Sequence, residues 1–467
     1  MFNTVIRNPG FLQRFTSKNI LAIALTILWS SLPSHELLAQ NPPPEPTKQV
    51  ENPGVTKNYE PSARKYLLGD WGGERRKLED KGVVFDFFYT TDALSSLSGG
   101  YQTSNGGFER VRGTMDIDFE KMHVAKGLTF HVTGLWQAGV NLGNQYIGTI
   151  ANPTSLASTA TTRLDSFWLQ QGLFSDRLFL KAGQIAGMDL YDLQEYGGSF
   201  LNQPMGYTPA TTVQNTYLPY DPGGTPGAEI RVVPVKNYYA KIAAFSGNRD
   251  LYPDDPSGFH FKFKDSPVFA AETGFLVQPP ADAASTKELG RQAAPGGLYP
   301  GVYKLGALFN PGKFTNPKDK VTSNGNYLIY LQANQAVYRM GKVGRDALRG
   351  LDITFQANGS PADVSQTNFQ FDLGVRYIGP FAKRPQDSLA FGYIYSHQSS
   401  NFDTLPTTTA PGLRFGSENL FELNYRTNVT PWLLFQPGVE YIQNPGGRLN
   451  QQLGGSFIIA LRTKVTF

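Results

Sequence analysis

From residue 83 to the end of the chain, polar and apolar residues take turns. Between Arg110 and Glu120 one face holds Arg110, Arg112, Thr114, Asp116, Asp118 and Glu120, and the other Val111, Gly113, Met115, Ile117 and Phe119. The same period returns where Leu351, Ile353 and Phe355 alternate with Asp352, Thr354 and Gln356. It returns again where Phe369, Phe371, Leu373, Val375 and Tyr377 flank Gln370, Asp372 and Arg376, and where Phe421, Leu423 and Tyr425 flank Glu422, Asn424 and Arg426. A period of two belongs to a β-strand whose faces meet different surroundings. A soluble sheet makes this pattern with its apolar side in a core. A membrane barrel makes it inverted, with apolar residues towards lipid and charged ones towards a wet lumen.

The connections favour the barrel. Counting back from Phe467 places about sixteen strands, an even number as bacterial barrels require. Short links at 121–126, 174–177, 234–237 and 427–431 alternate with long ones at 138–164, 186–226, 247–267 and 398–417. Short periplasmic turns and long extracellular loops are the barrel arrangement, with both termini in the periplasm. The stretch 278–300 breaks the alternation: it is long where a short turn is due, so it is either an insertion or a slip in the strand count. An open sheet in hydrocarbon would leave its edge groups unpaired at several kcal/mol each, so closure is required. The expected fold class is therefore all-β, a transmembrane antiparallel barrel of about sixteen strands, wide enough for an aqueous channel.

The two ends supply an address. Arg7, Arg14 and Lys18 precede an apolar stretch over 20–32, and Leu37-Leu38-Ala39 stands before Gln40. That is the pattern of a secretory signal peptide over 1–39. A membrane anchor fits less well, because the apolar core is short and Pro33 follows it. Residues 40–64 are rich in proline and charge and read as a flexible periplasmic tether. Within 65–82, the charged stretch 74–81 ending before Gly82 predicts a short helix with a glycine stop. At the far end Phe457, Ile459, Leu461, Thr463, Val465 and Phe467 share one face, opposite Arg462, Lys464 and Thr466. A last strand ending in phenylalanine resembles the assembly signal of bacterial outer-membrane proteins. It implies the outer membrane of a Gram-negative cell as location, with the assembly machinery and outer-membrane lipids as partners.

Composition narrows the chemistry. A mean hydropathy of −0.31 would suit a soluble protein, and after the N-terminus no apolar run approaches the roughly 20 residues of a spanning helix. Abundant Gly (49), Phe (32) and Tyr (23) point instead to many strands. The absence of cysteine excludes thiolate metal sites and disulfides. A net charge of +4 is too small to attract nucleic acid. His35, His123, His131, His260 and His397 show no metal-ligand spacing, and no strained Gly-x-Ser-x-Gly turn is present. No catalytic residue, metal or cofactor is expected, and the chain does not read as an enzyme.

Several stretches carry a family resemblance. Leu67-Leu68-Gly69-Asp70-Trp71-Gly72-Gly73 with the charged helix and Gly82, Leu180-Lys181-Ala182-Gly183-Gln184, and the region 419–444 with Thr430-Pro431-Trp432 and Tyr441-Ile442, followed by Asn444-Pro445-Gly446-Gly447, are similar to the OprB-type carbohydrate-selective porins. The resemblance spans nearly all of the mature chain, with its motifs mainly at the two ends. It implies a sixteen-stranded porin, monomeric or a homotrimer, that admits monosaccharides and related small polar solutes. It transfers no substrate-lining residue.

Candidate lining residues come from the alternation itself. Arg110, Arg112, Asp116, Asp118 and Glu120 form the first set, and Arg231, Arg376, Glu422, Arg426 and Glu440 occupy equivalent faces elsewhere. Charged groups can hydrogen-bond sugar hydroxyls several at a time. The plainer reading of each is a lumen charge paired for barrel stability. Trp168 lies on a polar face, as a sugar-stacking surface or a packing tryptophan. The long connection 186–226 is rich in aromatic residues that need burial, so it is expected to fold inward and narrow the pore. The alternatives are a general or anion-preferring diffusion porin and, behind it, an outer-membrane barrel hydrolase.

Overall fold

Polar side chains crowd the inside of this protein and apolar ones cover its outside. Asp352 and Gln332 are wholly buried, whereas Ile242 and Ile329 are 53% and 51% exposed. That arrangement is stable only if the outside is hydrocarbon and the inside holds water or polar partners. The computed structural model describes residues 65–248, 257–259, 261–263, 265–277, 299–340, 349–404 and 412–467. The expected signal peptide and tether, His260, and 278–298 lie outside the described residues.

The strands are β1 (Val83–Ser96), β2 (Asn105–Asp118), β3 (Leu128–Val140), β4 (Thr161–Leu173), β5 (Leu178–Ile185), β6 (Thr225–Val235), β7 (Tyr238–Gly247) and β8 (Asp265–Val277). They continue as β9 (Gly301–Thr315), β10 (Thr322–Arg339), β11 (Gly350–Gly359), β12 (Thr367–Ile378), β13 (Ser388–Gln398), β14 (Ser417–Thr430), β15 (Leu433–Gln443) and β16 (Ser456–Thr466). Each pairs antiparallel with its sequence neighbours, and β1 meets β16 to close the ring. Because β8 pairs directly with β9, the stretch 278–300 is an insertion between neighbours and the strand count does not slip. Val277 and Gly301, the strand ends that bound it, lie at the end of the barrel that also holds the tight turns between β4 and β5 and between β14 and β15, and the last residue of the chain.

The closing seam is marked by charge. Asp92 of β1 stands opposite Arg462 of β16, and the guanidinium reaches both carboxylate oxygens at 2.7 and 2.6 Å. Below the seam, the family-like N-terminal stretch packs as a clasp. Asp70 accepts the Gly73 N–H at 3.0 Å and so caps the 3-10 turn Trp71–Gly73, which leads into helix α1 (Glu74–Asp80). Arg75 on α1 lies 3.7 Å over the ring of Tyr66 and 4.3 Å over that of Trp71. It donates to the backbone oxygens of Phe85 and Phe467 at 2.9 Å each, and the Leu67 N–H donates to the Thr466 oxygen at 2.8 Å.

The connection between β5 and β6, residues 186–224, turns into the barrel. Its Met188, Tyr191 and Leu218 pack with Phe245, Val268, Leu308 and Leu328 of one wall. Its Phe200 and Met205 pack with Ile394, Leu420, Ile442 and Ile458 of the wall across the lumen. Burying each such side chain contributes about 2 kcal/mol, so the loop is anchored at both ends of its crossing.

Candidate functional site

The tip of the inward loop is seated by backbone and charge. Wall glycines make the seat: a Cβ on Gly374 would lie 2.4 Å from Met205, one on Gly392 2.8 Å from the same side chain, and one on Gly438 2.6 Å from Leu201. The backbone N–H groups of Leu201 and Asn202 donate to the Glu422 carboxylate at 2.9 Å each, and the Asn202 side chain donates to it at 2.6 Å. Asn424 and Gln436 donate to the Ser199 carbonyl at 2.9 and 3.1 Å. Arg376 pairs with Asp352 at 2.6 Å, donates to the Ser199 hydroxyl at 3.1 Å, and covers the Tyr196 ring. Earlier along the loop, Asp192 accepts from Thr212, Gln332 and Gln356 at 2.6, 3.1 and 2.6 Å.

The far end of the loop meets β2. Asp221 accepts from Arg110 at 2.9 Å and from Arg112 at 2.6 Å, and Arg112 also faces Asp189 at 3.6 Å and Asp165 at 3.9 Å. Burial alone would raise the Asp221 carboxyl, but the two guanidinium groups outweigh it and hold it below the ordinary carboxylate value. Asp165 comes to face Arg112 through an irregularity in β4, where pairing with β3 skips from Ser166 to Leu164.

Above this cluster, on the long-loop side, lies a cavity of about 830 Å³. Amides and hydroxyls dominate its lining, among them Asn144, Asn152, Gln203, Gln398, Ser158 and Thr159. Tyr207, Tyr220 and Phe415 add rings, and Asp221 and Arg448 are the only charged side chains among its described lining residues.

The sequence candidates therefore separate by level. Arg110 and Arg112 underlie the cavity floor. Asp116 bonds His131 at 2.7 Å nearer the turn end of β2. Asp118 ends β2, and its carboxylate takes the N–H groups of Glu120 and Lys121 at 3.0 and 3.1 Å. Glu120 lies beyond the strand and accepts from the Gly127 N–H at 2.9 Å, so these two carboxylates serve the turn. Trp168 stacks on His131 at 4.8 Å and has the Lys181 ammonium 4.0 Å from its centroid, so protein groups already engage the ring. Arg231 covers Phe179. Arg426 lies opposite Ser388 towards the turn end of β14. Glu440 is buried opposite Glu422 in the β14–β15 register. Sequence reasoning missed Asp165, the Asp92–Arg462 pair and the three seating glycines. Of these, lumen-facing glycine in otherwise bulky strands was the signal at hand.

The family model for the carbohydrate-selective porins of the OprB family matches residues 108–467. Porin B of Pseudomonas aeruginosa is 26% identical over 420 residues, covering 82% of this chain and 87% of that protein. The putative porin QuiX of Acinetobacter baylyi is 24% identical over 433 residues, 86% of this chain and 93% of its own. Among solved structures, the high-pH form of Pseudomonas putida OprB superimposes with a TM-score of 0.77 at 20% identity, covering 88% of this chain and all of that one.

Proposed function

The chain belongs to the OprB family of carbohydrate-selective porins, and from that premise we propose that neutral monosaccharides and related small polar solutes pass through it by diffusion, along the cavity and past the loop that crosses the lumen. The protein is an outer-membrane porin with a channel's fold. One observation supports sugars in particular: the cavity is walled by neutral amides, hydroxyls and rings. Such groups exchange hydrogen bonds with sugar hydroxyls while offering an ion little compensation for its lost water. Its volume of about 830 Å³ falls in the range of small-molecule sites, roughly 300–1,000 Å³. Many weak partners and no tight one suit passage, which requires that the solute leave.

In this reading Arg110, Arg112 and Asp221 form the floor of the passage. Arg376 and Glu422 act on it indirectly, by holding the loop. The family and fold are those of a channel, and the reading invokes no chemical step. Liposome swelling with the purified protein tests it. Glucose is expected to enter faster than amino acids and small anions of similar size, with larger oligosaccharides excluded. Equal rates for all small solutes would make it a general diffusion porin, and faster anions would make it an anion channel.

A further inference from the structure

Sending residues 186–224 inward leaves a flaw in the barrel wall. β4 pairs with β3 from Thr161 to Gln171 but with β5 only from Phe167 onward, because β5 ends at Ile185 and the chain then leaves the wall. Among the described residues, no strand thus pairs with residues 161–166 of β4 on that edge. The notch lies at the level of lipid, since Trp136 and Val140 of the adjoining β3 carry the exposed apolar belt alongside and beyond it. Unpaired backbone groups are not tolerated in hydrocarbon.

Ser257 and Gly258, in the connection between β7 and β8, cover the notch. The Leu164 N–H donates to the Ser257 oxygen at 2.9 Å, and the Gln184 side chain donates to the Gly258 oxygen at 3.0 Å. Gly258 has φ +76°, and a Cβ there would lie 1.8 Å from the Leu164 oxygen, so only glycine brings the segment this close. Beyond it Phe259, Phe261 and Phe263, spaced by two, are 73%, 48% and 77% exposed. Phe261 packs 6.1 Å from the lipid-side ring of Phe167 and 5.9 Å from Phe263. Three exposed phenylalanines in a row would be a liability in water. Here they continue the apolar belt of β3 and β4.

We infer that the segment around Ser257, Gly258 and the three phenylalanines is a membrane-embedded strap that seals the notch beside β4 and takes the acyl chains of the outer-membrane lipid as its partner. The chain has no cysteine, so Phe263→Cys in the full-length protein accepts a single nitroxide label. Collision of the label with oxygen, which partitions into lipid, and with a water-soluble nickel complex is read in phosphatidylcholine vesicles. Leu169→Cys on the belt and Phe174→Cys in the β4–β5 turn serve as lipid and water references. The strap predicts that the label at 263 matches that at 169, with the nickel collisions lost. Behaviour like that at 174 would place the segment in water and overturn the inference. Shielding from both reagents would mean a protein partner such as a second copy, and would overturn it equally. Adding Gly258→Ala should shift the 263 label towards the water reference while the barrel still runs as a folded, heat-modifiable band. An unchanged label would refute the sealing contact.

Discussion

The charge cluster under the cavity makes a prediction with a sign. Asp221 lines the cavity, and Arg112 stands behind it at 2.6 Å. Replacing Arg112 with Gln removes one positive charge and leaves Asp221 to Arg110 alone; replacing Asp221 with Asn removes the negative charge that the two guanidinium groups share. An ion passing about 4 Å from one uncompensated unit charge feels about 1 kcal/mol if the lumen screens like water, and more where it is narrow. That energy corresponds to about five-fold in the permeability of each ion, in opposite directions for cation and anion, and so to roughly thirty-fold in their ratio. Arg112→Gln should raise that ratio and Asp221→Asn should lower it, read from the reversal potential across a KCl gradient near 0.1 M, where the screening length is about 10 Å. Glucose loses at most one hydrogen bond, about 0.5 kcal/mol or a two-fold effect on swelling. The opposite signs protect the test from a trivial cause, because a loop that merely came loose would widen the pore and move both variants the same way. Shifts of one sign, or unchanged reversal potentials with intact barrels, would refute the assignment of this cluster to the passage.

Two further outcomes follow from the anchors. Glu422→Ala orphans two backbone donors at the loop tip, at roughly 1–3 kcal/mol each, comparable to the burial of Phe200 and Met205. Single-channel current should become noisy and the size limit should relax, with Glu422→Gln intermediate; a quiet, wild-type trace would sink the anchoring role. Arg75→Ala removes two hydrogen bonds from a charged donor and two ring contacts, together about 3–5 kcal/mol, and should lower the temperature at which the folded gel band is lost, with Arg75→Lys between.

The alternation in the sequence announces which residues face inward, because lipid and water enforce opposite choices on the two faces of every strand. That is why β2, β11, β12 and β14 are legible, and why the final strand, read as 457–467, falls within one residue of Ser456–Thr466 at each end. Alternation is silent about height along the barrel. Arg112 and Glu120 share a face in sequence, yet one meets the inward loop and the other a turn, and only the end of β2 at Asp118 separates them. Nor does it register what fills the lumen. The seat for Phe200 and Met205 is made of missing side chains at Gly374 and Gly392, and a glycine reads locally as a weak strand residue. The irregularity that presents Asp165 breaks the period itself, so a rule built on the period passes over it.

The pair at the seam has a consequence for how the barrel comes to exist. Asp92 and Arg462 are 370 residues apart in sequence, and both are buried. If β16 met β1 two residues out of step, Arg462 would face Leu94 or Thr90, and a buried guanidinium would have lost its carboxylate opposite. The seam therefore proofreads its own alignment. It can do so only after the last strand has been delivered, so until then the growing sheet keeps two open edges, and shelter for them has to come from outside the chain.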